Sequence, residues 1–154
     1  MSIFKFVIHV DDGAIGVDEV AMQGLAILEA VIAINVMHLR RHPRDVCVLS
    51  SGKVKYDTRN KDVLSQIGDI RTIPALLAEP EKGLCIDIIG VDVAIHRFEG
   101  RKAWPVILPM AKTGAFHVVT ELQTPRGVIQ YDPSQEIEQH GRAYSGQPPQ
   151  CSLG

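Results

Sequence analysis

The first residues alternate in polarity. In "IFKFVIHV" Phe4, Phe6, Ile8 and Val10 fall on one face while Lys5 and His9 fall on the other. A period of two predicts a half-buried strand, closed by Asp11-Asp12-Gly13. The pattern then changes. "EVAMQGLAILEAVIAINVMHLRRH", with Asp18 as N-cap, reads as a helix of about 24 residues, apolar nearly all round, ending before Pro43. Arg40 and Arg41 complement the negative end of its dipole. About 20 apolar residues can span a bilayer, but Gln23, Glu29, Asn35 and His38 interrupt this run. Side chains of that kind are expensive in lipid, so a buried core helix is expected, partly covered by a second subunit if the chain oligomerises.

"RDVCVLSSGKVKYDTRN" mixes short strand-like runs with a Ser-Ser-Gly turn, and "DIRTIPALLAEPEKG" from Asp69 reads as a helix broken by Pro80 and Gly83. From Cys85 to about Phe98 the chain is apolar with few breaks, which fits a helix or a buried strand. Beyond it the period shortens. "KAWPVILP", "AFHVVTELQT" and "GVIQYD" are β-branched segments, the last two joined by Thr-Pro-Arg-Gly, and predict a small antiparallel sheet. From residue 134 the chain is polar, rich in Gly and Pro and without periodicity. We therefore expect a single domain over residues 1–133 and a polar tail over 134–154, disordered or laid on the surface.

Composition narrows the function. The chain has 154 residues, 45% of them hydrophobic and 22% charged, with a formal charge of −2. One core is expected, and the basic excess that nucleic-acid backbones require is lacking. The N-terminus lacks the charged, apolar and small-residue order of a signal peptide. Three widely spaced cysteines, Cys47, Cys85 and Cys151, form no Cys-x-x-Cys pair. They indicate neither a disulfide framework nor a zinc knuckle, and a reducing, cytoplasmic setting is expected. In that reading Cys47 is a packing residue and Cys151 an incidental exposed thiol.

Several motifs have plain structural readings. His38 and His42 stand four apart and could ligate zinc, yet "HLRRH" carries no Glu between them, so histidines at a helix end are expected. "DDGAIGVDE" lacks calcium-loop spacing and reads as a turn, and "LRRHPR" reads as a solvated helix end. Scattered His9, His38, His42 and His96 barely support a metal module. Trp104 could line a cleft or fill the core.

The remaining chemistry lies in Cys85, His117 and Asp132. Cys85 opens an apparent helix, where partial positive charge favours a thiolate and free N–H groups can hold an oxyanion. In "GAFHVVTEL" alternation sets His117 with Ala115 and Val119, opposite Phe116, Val118 and Leu122. A hairpin turning at Pro125 and Arg126 would bring Asp132 back to the imidazole as its orienting carboxylate.

The order Gly83-x-Cys85-x-Asp87, then His117-Val118-Val119, then Tyr131-Asp132-Pro133 resembles the Cys-His-Asp core of the transglutaminase-like superfamily of the papain-like fold. More narrowly, "HLRRHPRDVCVLSSGKVKYD" followed by "TIPALLAEPEKGLCID" is similar to short bacteriophage and prophage members, and together these stretches cover roughly residues 30–135. The resemblance implies an α+β, papain-like domain with N-terminal helices packed on a small antiparallel sheet. It also implies Cys85 as nucleophile, His117 as general base and then acid, and Asp132 as orienting group, with no cofactor and no metal. A peptide or protein substrate, hydrolysed rather than cross-linked, and phage structural proteins as partners follow from it; nucleic acid and membrane do not. Relatives carry acidic residues on both sides of the cysteine where this chain has Leu84 and Ile86. That departure motivates the alternative of an inactive structural or assembly protein that keeps the fold. Asn60 and Gln66 are the candidates for a second oxyanion donor.

Overall fold

The computed structural model describes residues 7–8, 19–57, 70–109, 116–147 and 151. Its elements are strand β1 (Val7–Ile8), helices α1 (Glu19–Arg41), α2 (Ile73–Ala78) and α3 (Cys85–Phe98), strands β2 (Ala103–Pro109), β3 (Phe116–Thr124) and β4 (Gly127–Tyr131), and helix α4 (Pro133–His140). The architecture is α+β. The sheet runs in the order β1-β2-β3-β4, antiparallel from β2 to β4, while β1 joins β2 in parallel through Val7↔Val106 and Ile8↔Ile107. The parallel edge strand is a departure from the purely antiparallel sheet expected.

α3 is the centre of the molecule, packed between α1 and the strands β2 and β3, with α4 against it. Every residue from Asp87 to His96 is buried. A helix covered on all sides has no polar face to display, which is why its Ile- and Val-rich sequence looked equally like a strand. α1 is apolar all round for a different reason: Leu25, Leu28, Ile32 and Leu39 are buried, whereas Ile27, Ile34 and Met37 are exposed on its other side.

Three polar residues of α1 have partners. Glu29 is 3% exposed and receives both ends of the Arg97 guanidinium, at 2.7 and 3.1 Å. Asn35 donates to the Gly90 carbonyl at 3.1 Å and accepts from the Ile73 N–H at 2.8 Å, tying α1 to α3 and to the start of α2. His38 Nε2 lies 2.6 Å from Asp45 Oδ2, and its ring stacks on His42. Buried polar groups are tolerated when they are paired, and these three pairs turn a greasy helix into one with a single register. Among the described residues no helix is long and apolar enough to cross a membrane.

Three local expectations are corrected. Residues 43–52 form no strand: Pro43–Cys47 is a 3₁₀ turn, followed by turns in which the Ser50 and Ser51 hydroxyls bond back to the Cys47 and Val48 carbonyls. Hydroxyls that satisfy carbonyls three residues back compete with strand pairing. Residues 134–147, expected as an aperiodic tail, begin in α4, whose Ile137 joins the main core. Asp132-Pro133-Ser134-Gln135 carries the helix-start signature of an acceptor, a proline at the first turn and Gln three residues on, which the Gly/Pro-rich composition beyond it masked. Finally, Cys47 and Cys151 are joined by a disulfide spanning 104 residues, with Cys151 buried rather than exposed. Their wide spacing concealed the pairing, because sequence separation says nothing of distance in the fold.

Candidate active site

Cys85 is the first residue of α3, and the chain before it is built to deliver it there. After the 3₁₀ turn Pro80–Lys82, Gly83 and Leu84 are extended. Residues 54–57 run alongside: the Gly83 N–H donates to the Lys55 carbonyl at 3.1 Å and the Asp57 N–H to the Gly83 carbonyl at 2.8 Å. A Cβ on residue 83 would lie 2.6 Å from the Lys55 oxygen, so only glycine permits this approach. The helix start is secured by buried Asp87, whose Oδ2 accepts from the Leu84 N–H at 3.1 Å and whose Oδ1 accepts from the Arg71 N–H at 2.7 Å. Asp87 is thus a fastening between the helix start and residue 71.

His117 lies near the beginning of β3, opposite Leu108 of β2. Its neighbours divide as the alternation predicts: Val118 and Leu122 enter the main core, and Val119 joins Trp104 and Val106 in a small cluster on the other face. Trp104 therefore fills this cluster, and its indole N–H donates to Glu121 at 3.2 Å. β4 ends at Tyr131, opposite Thr120. The chain then turns into α4 with Asp132 as N-cap, so its carboxylate stands beside His117 just past the end of the shorter strand.

The three expected residues are brought together. His117 Nε2 lies 2.6 Å from Asp132 Oδ2, and the imidazole is also hydrogen-bonded to Cys85. With Nε2 committed to the carboxylate, Nδ1 is the nitrogen left for the sulfur. Asp132 Oδ1 meanwhile accepts from the Ser134 N–H at 3.0 Å, the Gln135 N–H at 3.3 Å and the Ser134 hydroxyl. One carboxylate orients the imidazole with one oxygen and caps α4 with the other.

The electrostatics follow from this arrangement. The hydrogen bond to Asp132, then that to Cys85, and the negative charge of both raise His117 to about 10 against the opposing effect of burial. Burial pushes Asp132 up, but the hydrogen bonds from His117 and Ser134, the imidazolium charge and the Gln135 N–H outweigh it, and its pKa falls below the usual carboxylate range. At neutral pH the imidazole is therefore protonated and paired with the Asp132 carboxylate.

A cleft of about 400 Å³ opens on this pair, lined by Tyr56, His117, Val119, Asp132 and Glu138 among others. Cys85 is only 3% exposed and is the one cysteine outside the disulfide. Tyr56 was not anticipated from the sequence. Burial first, and then the charge of Cys85, push its phenol up to about 12, which keeps it a neutral hydroxyl beside the thiol. Its position depends on the bridge between Tyr56 and Gly83, a pairing across 27 positions that no local pattern announces. Asn60 and Gln66 lie outside the described residues, as do His9 and residues 11–18 of the "DDGAIGVDE" turn.

Among the described residues no group of three or more His, Cys, Asp or Glu converges as metal ligands would. His38 and His42 are engaged with each other and with Asp45 at the end of α1. Comparison with protein-family models, with curated proteins and with solved structures finds no match to this chain.

Proposed function

We propose that this chain is a cysteine-dependent acyl-transfer enzyme of papain-like, transglutaminase-like architecture that acts on amide bonds of a peptide or protein, with hydrolysis as its reaction. The observation that carries the reading is the imidazole of His117 held between Asp132 and a cysteine at a helix N-terminus.

In this mechanism Cys85 Sγ attacks the amide carbonyl carbon and the carbonyl π pair moves onto oxygen. The N–H groups of the first turn of α3 have no intrahelical acceptor, and with the Leu84 N–H taken by Asp87 the Cys85 N–H is the first left to stabilise that oxygen. As the C–N bond breaks, the imidazolium gives its proton to the departing amine, leaving a thioester. Water then attacks the thioester carbon, His117 accepts its proton, and the C–S bond breaks to release a carboxylic acid and restore Cys85. Asp132 stays ionised throughout and fixes the ring.

The burial of Cys85 and the apolar Leu84 and Ile86 beside it favour a second reading, a structural or assembly protein of phage type that keeps the fold without turnover. One experiment separates the two. An electrophilic activity-based probe is applied to the wild type and to Cys85→Ala, followed by a peptide library. The enzyme reading expects labelling of the wild type alone and cleavage of some library members. Absence of labelling, with the protein folded, supports the second reading instead.

A further inference from the structure

Helix α3 carries a second polar cluster, two turns in from Cys85, which the chemistry above leaves unused. Asp92 is fully buried, and its Oδ2 accepts from the Tyr131 hydroxyl at 2.6 Å and the Thr120 hydroxyl at 2.8 Å. The Tyr131 oxygen also lies 2.6 Å from His96 Nε2, while Arg101 Nε donates to His96 Nδ1 at 2.8 Å. Only one proton assignment satisfies all of these contacts. Arg101 donates to Nδ1, the imidazole donates from Nε2 to the phenol oxygen, and the phenol donates to Asp92. Burial, with the Arg101 charge adding to it, depresses His96 to about 3, which keeps the ring in the neutral form this chain needs.

The cluster is closed from outside by the C-terminal segment. A Cβ on Gly146 would collide with the Tyr131 hydroxyl and come within 2.5 Å of His96 Nε2 and 2.8 Å of Asp92 Oδ1, so this residue is seated directly on the network. Buried and without a hydrogen-bond partner are Asp92 Oδ1, Arg101 Nη2 and both amide atoms of Gln147, the residue after it. The segment is fastened at residues 143–145. The Ala143 N–H donates to the Leu49 carbonyl at 3.0 Å, and the Tyr144 and Ser145 N–H groups share Glu136 Oε2 at 3.0 and 3.1 Å. Cys151 then closes the strap onto Cys47.

Tyr131 immediately precedes Asp132, and Asp92 lies seven residues beyond Cys85 on one helix, about 10 Å along its axis. The Tyr131–Asp92 bond therefore fixes the strand end that carries the carboxylate to the helix that carries the thiol. We propose that Tyr131 is a positioning residue for Cys85, His117 and Asp132, held on Asp92 by a C-terminal strap that the Cys47–Cys151 disulfide ties down. The inference rests on the acyl-transfer reading and adds a control to it. A dithiol reductant breaks the S–S bond, giving two thiols and an oxidised reagent in a two-electron exchange, and so frees the far end of the strap. The titratable and charged groups around Tyr131 are Asp92 and the neutral His96 from α3, Arg101 beyond it and Glu136 from α4.

The test is the pH profile of Cys85 carboxamidomethylation in the oxidised full-length protein, read by mass spectrometry of the Cys85 peptide. Tyr131→Phe, which keeps the ring and loses the hydroxyl, is expected to change the plateau rate roughly threefold or more and to shift the profile while circular dichroism stays native. Cys151→Ser is expected to shift it in the same direction, and wild type reduced with dithiothreitol and then freed of it should match Cys151→Ser. The double variant Cys47→Ser/Cys151→Ser should not respond to the reductant. A folded Tyr131→Phe with the wild-type profile overturns the inference; if that variant does not fold, a wild-type profile in Cys151→Ser overturns it. If His117→Ala reacts like the wild type, the acyl-transfer reading itself falls, and the inference with it.

Discussion

The Nε2 atom of His117 lies 2.6 Å from Oδ2 of Asp132, and that one bond decides which face of the imidazole meets Cys85. It fixes the orientation of the ring, leaves Nδ1 for the sulfur and holds positive charge on the ring at neutral pH. The consequences can be measured separately.

His117→Ala removes the cation that favours the thiolate. In the oxidised protein Cys85 is the one titratable thiol, so its reaction with iodoacetamide reports on this directly. The variant is expected to react roughly tenfold more slowly at neutral pH. Equal rates in the two proteins would sink the activated thiol.

Asp132 has two tasks, and two substitutions separate them. Asn caps helices as well as Asp does, so Asp132→Asn should keep the fold and lose only the stability that the ion pair with His117 contributes, while slowing cleavage of a library substrate by roughly a hundredfold, less than the ten-thousandfold of a serine triad. The loss is expected to be smaller because His117 already carries its proton before substrate arrives. Asp132→Ala loses the cap as well and should cost about 1 kcal/mol further in a urea melt. Unchanged turnover in the Asn variant would leave Asp132 with the cap alone.

The ion pair also predicts how stability depends on pH. His117 is raised from 6.5 to about 10, so the folded state holds this proton more tightly than the unfolded chain. The stabilisation is full below about 6.5 and is lost as pH climbs through about 10. Asp132 is lowered from 3.8, so its share is full above that value and is lost as pH falls below it. The stability difference between wild type and His117→Gln should therefore be greatest at about pH 4 to 6.5 and shrink toward pH 10. Urea midpoints across this range test it, and a difference independent of pH would contradict the pairing.

Gly83→Ala places a methyl group against the Lys55 carbonyl, which is backbone and has no rotamer to yield. We expect a loss of about 1–3 kcal/mol in urea denaturation, together with slower labelling of Cys85 as residues 54–57 move away from it. A variant as stable as the wild type would show that the close approach of these two segments is dispensable.

Glu29→Gln replaces the carboxylate that the Arg97 guanidinium, 10% exposed, holds at 2.7 Å with a neutral group. Stripping one charge from a buried pair costs about 3–5 kcal/mol, whereas replacing both partners by methionine should cost much less. If the double variant is no better than the single one, the pair contributes more through its geometry than through its charge.

The sequence by itself determined what repeats locally. Alternation in "AFHVVTELQT" and "GVIQYD" set the hairpin and the face of His117, and largely apolar runs marked α1 and α3 for burial, because side-chain period follows directly from backbone geometry. The positions of Cys85 at a helix start, His117 within a strand and Asp132 just beyond a strand end could be read in advance, since local pattern reveals each of them. Only the tertiary structure decided the rest. Whether residues 85–98 were strand or helix depended on being enclosed from all sides. The partners of Glu29 and Asn35, the approach of Tyr56 to Gly83, the disulfide from Cys47 to Cys151 and the seating of Gly146 on Tyr131 join residues far apart in the chain. No periodicity records such contacts, because each is fixed by how separate elements pack rather than by the conformation of either segment alone.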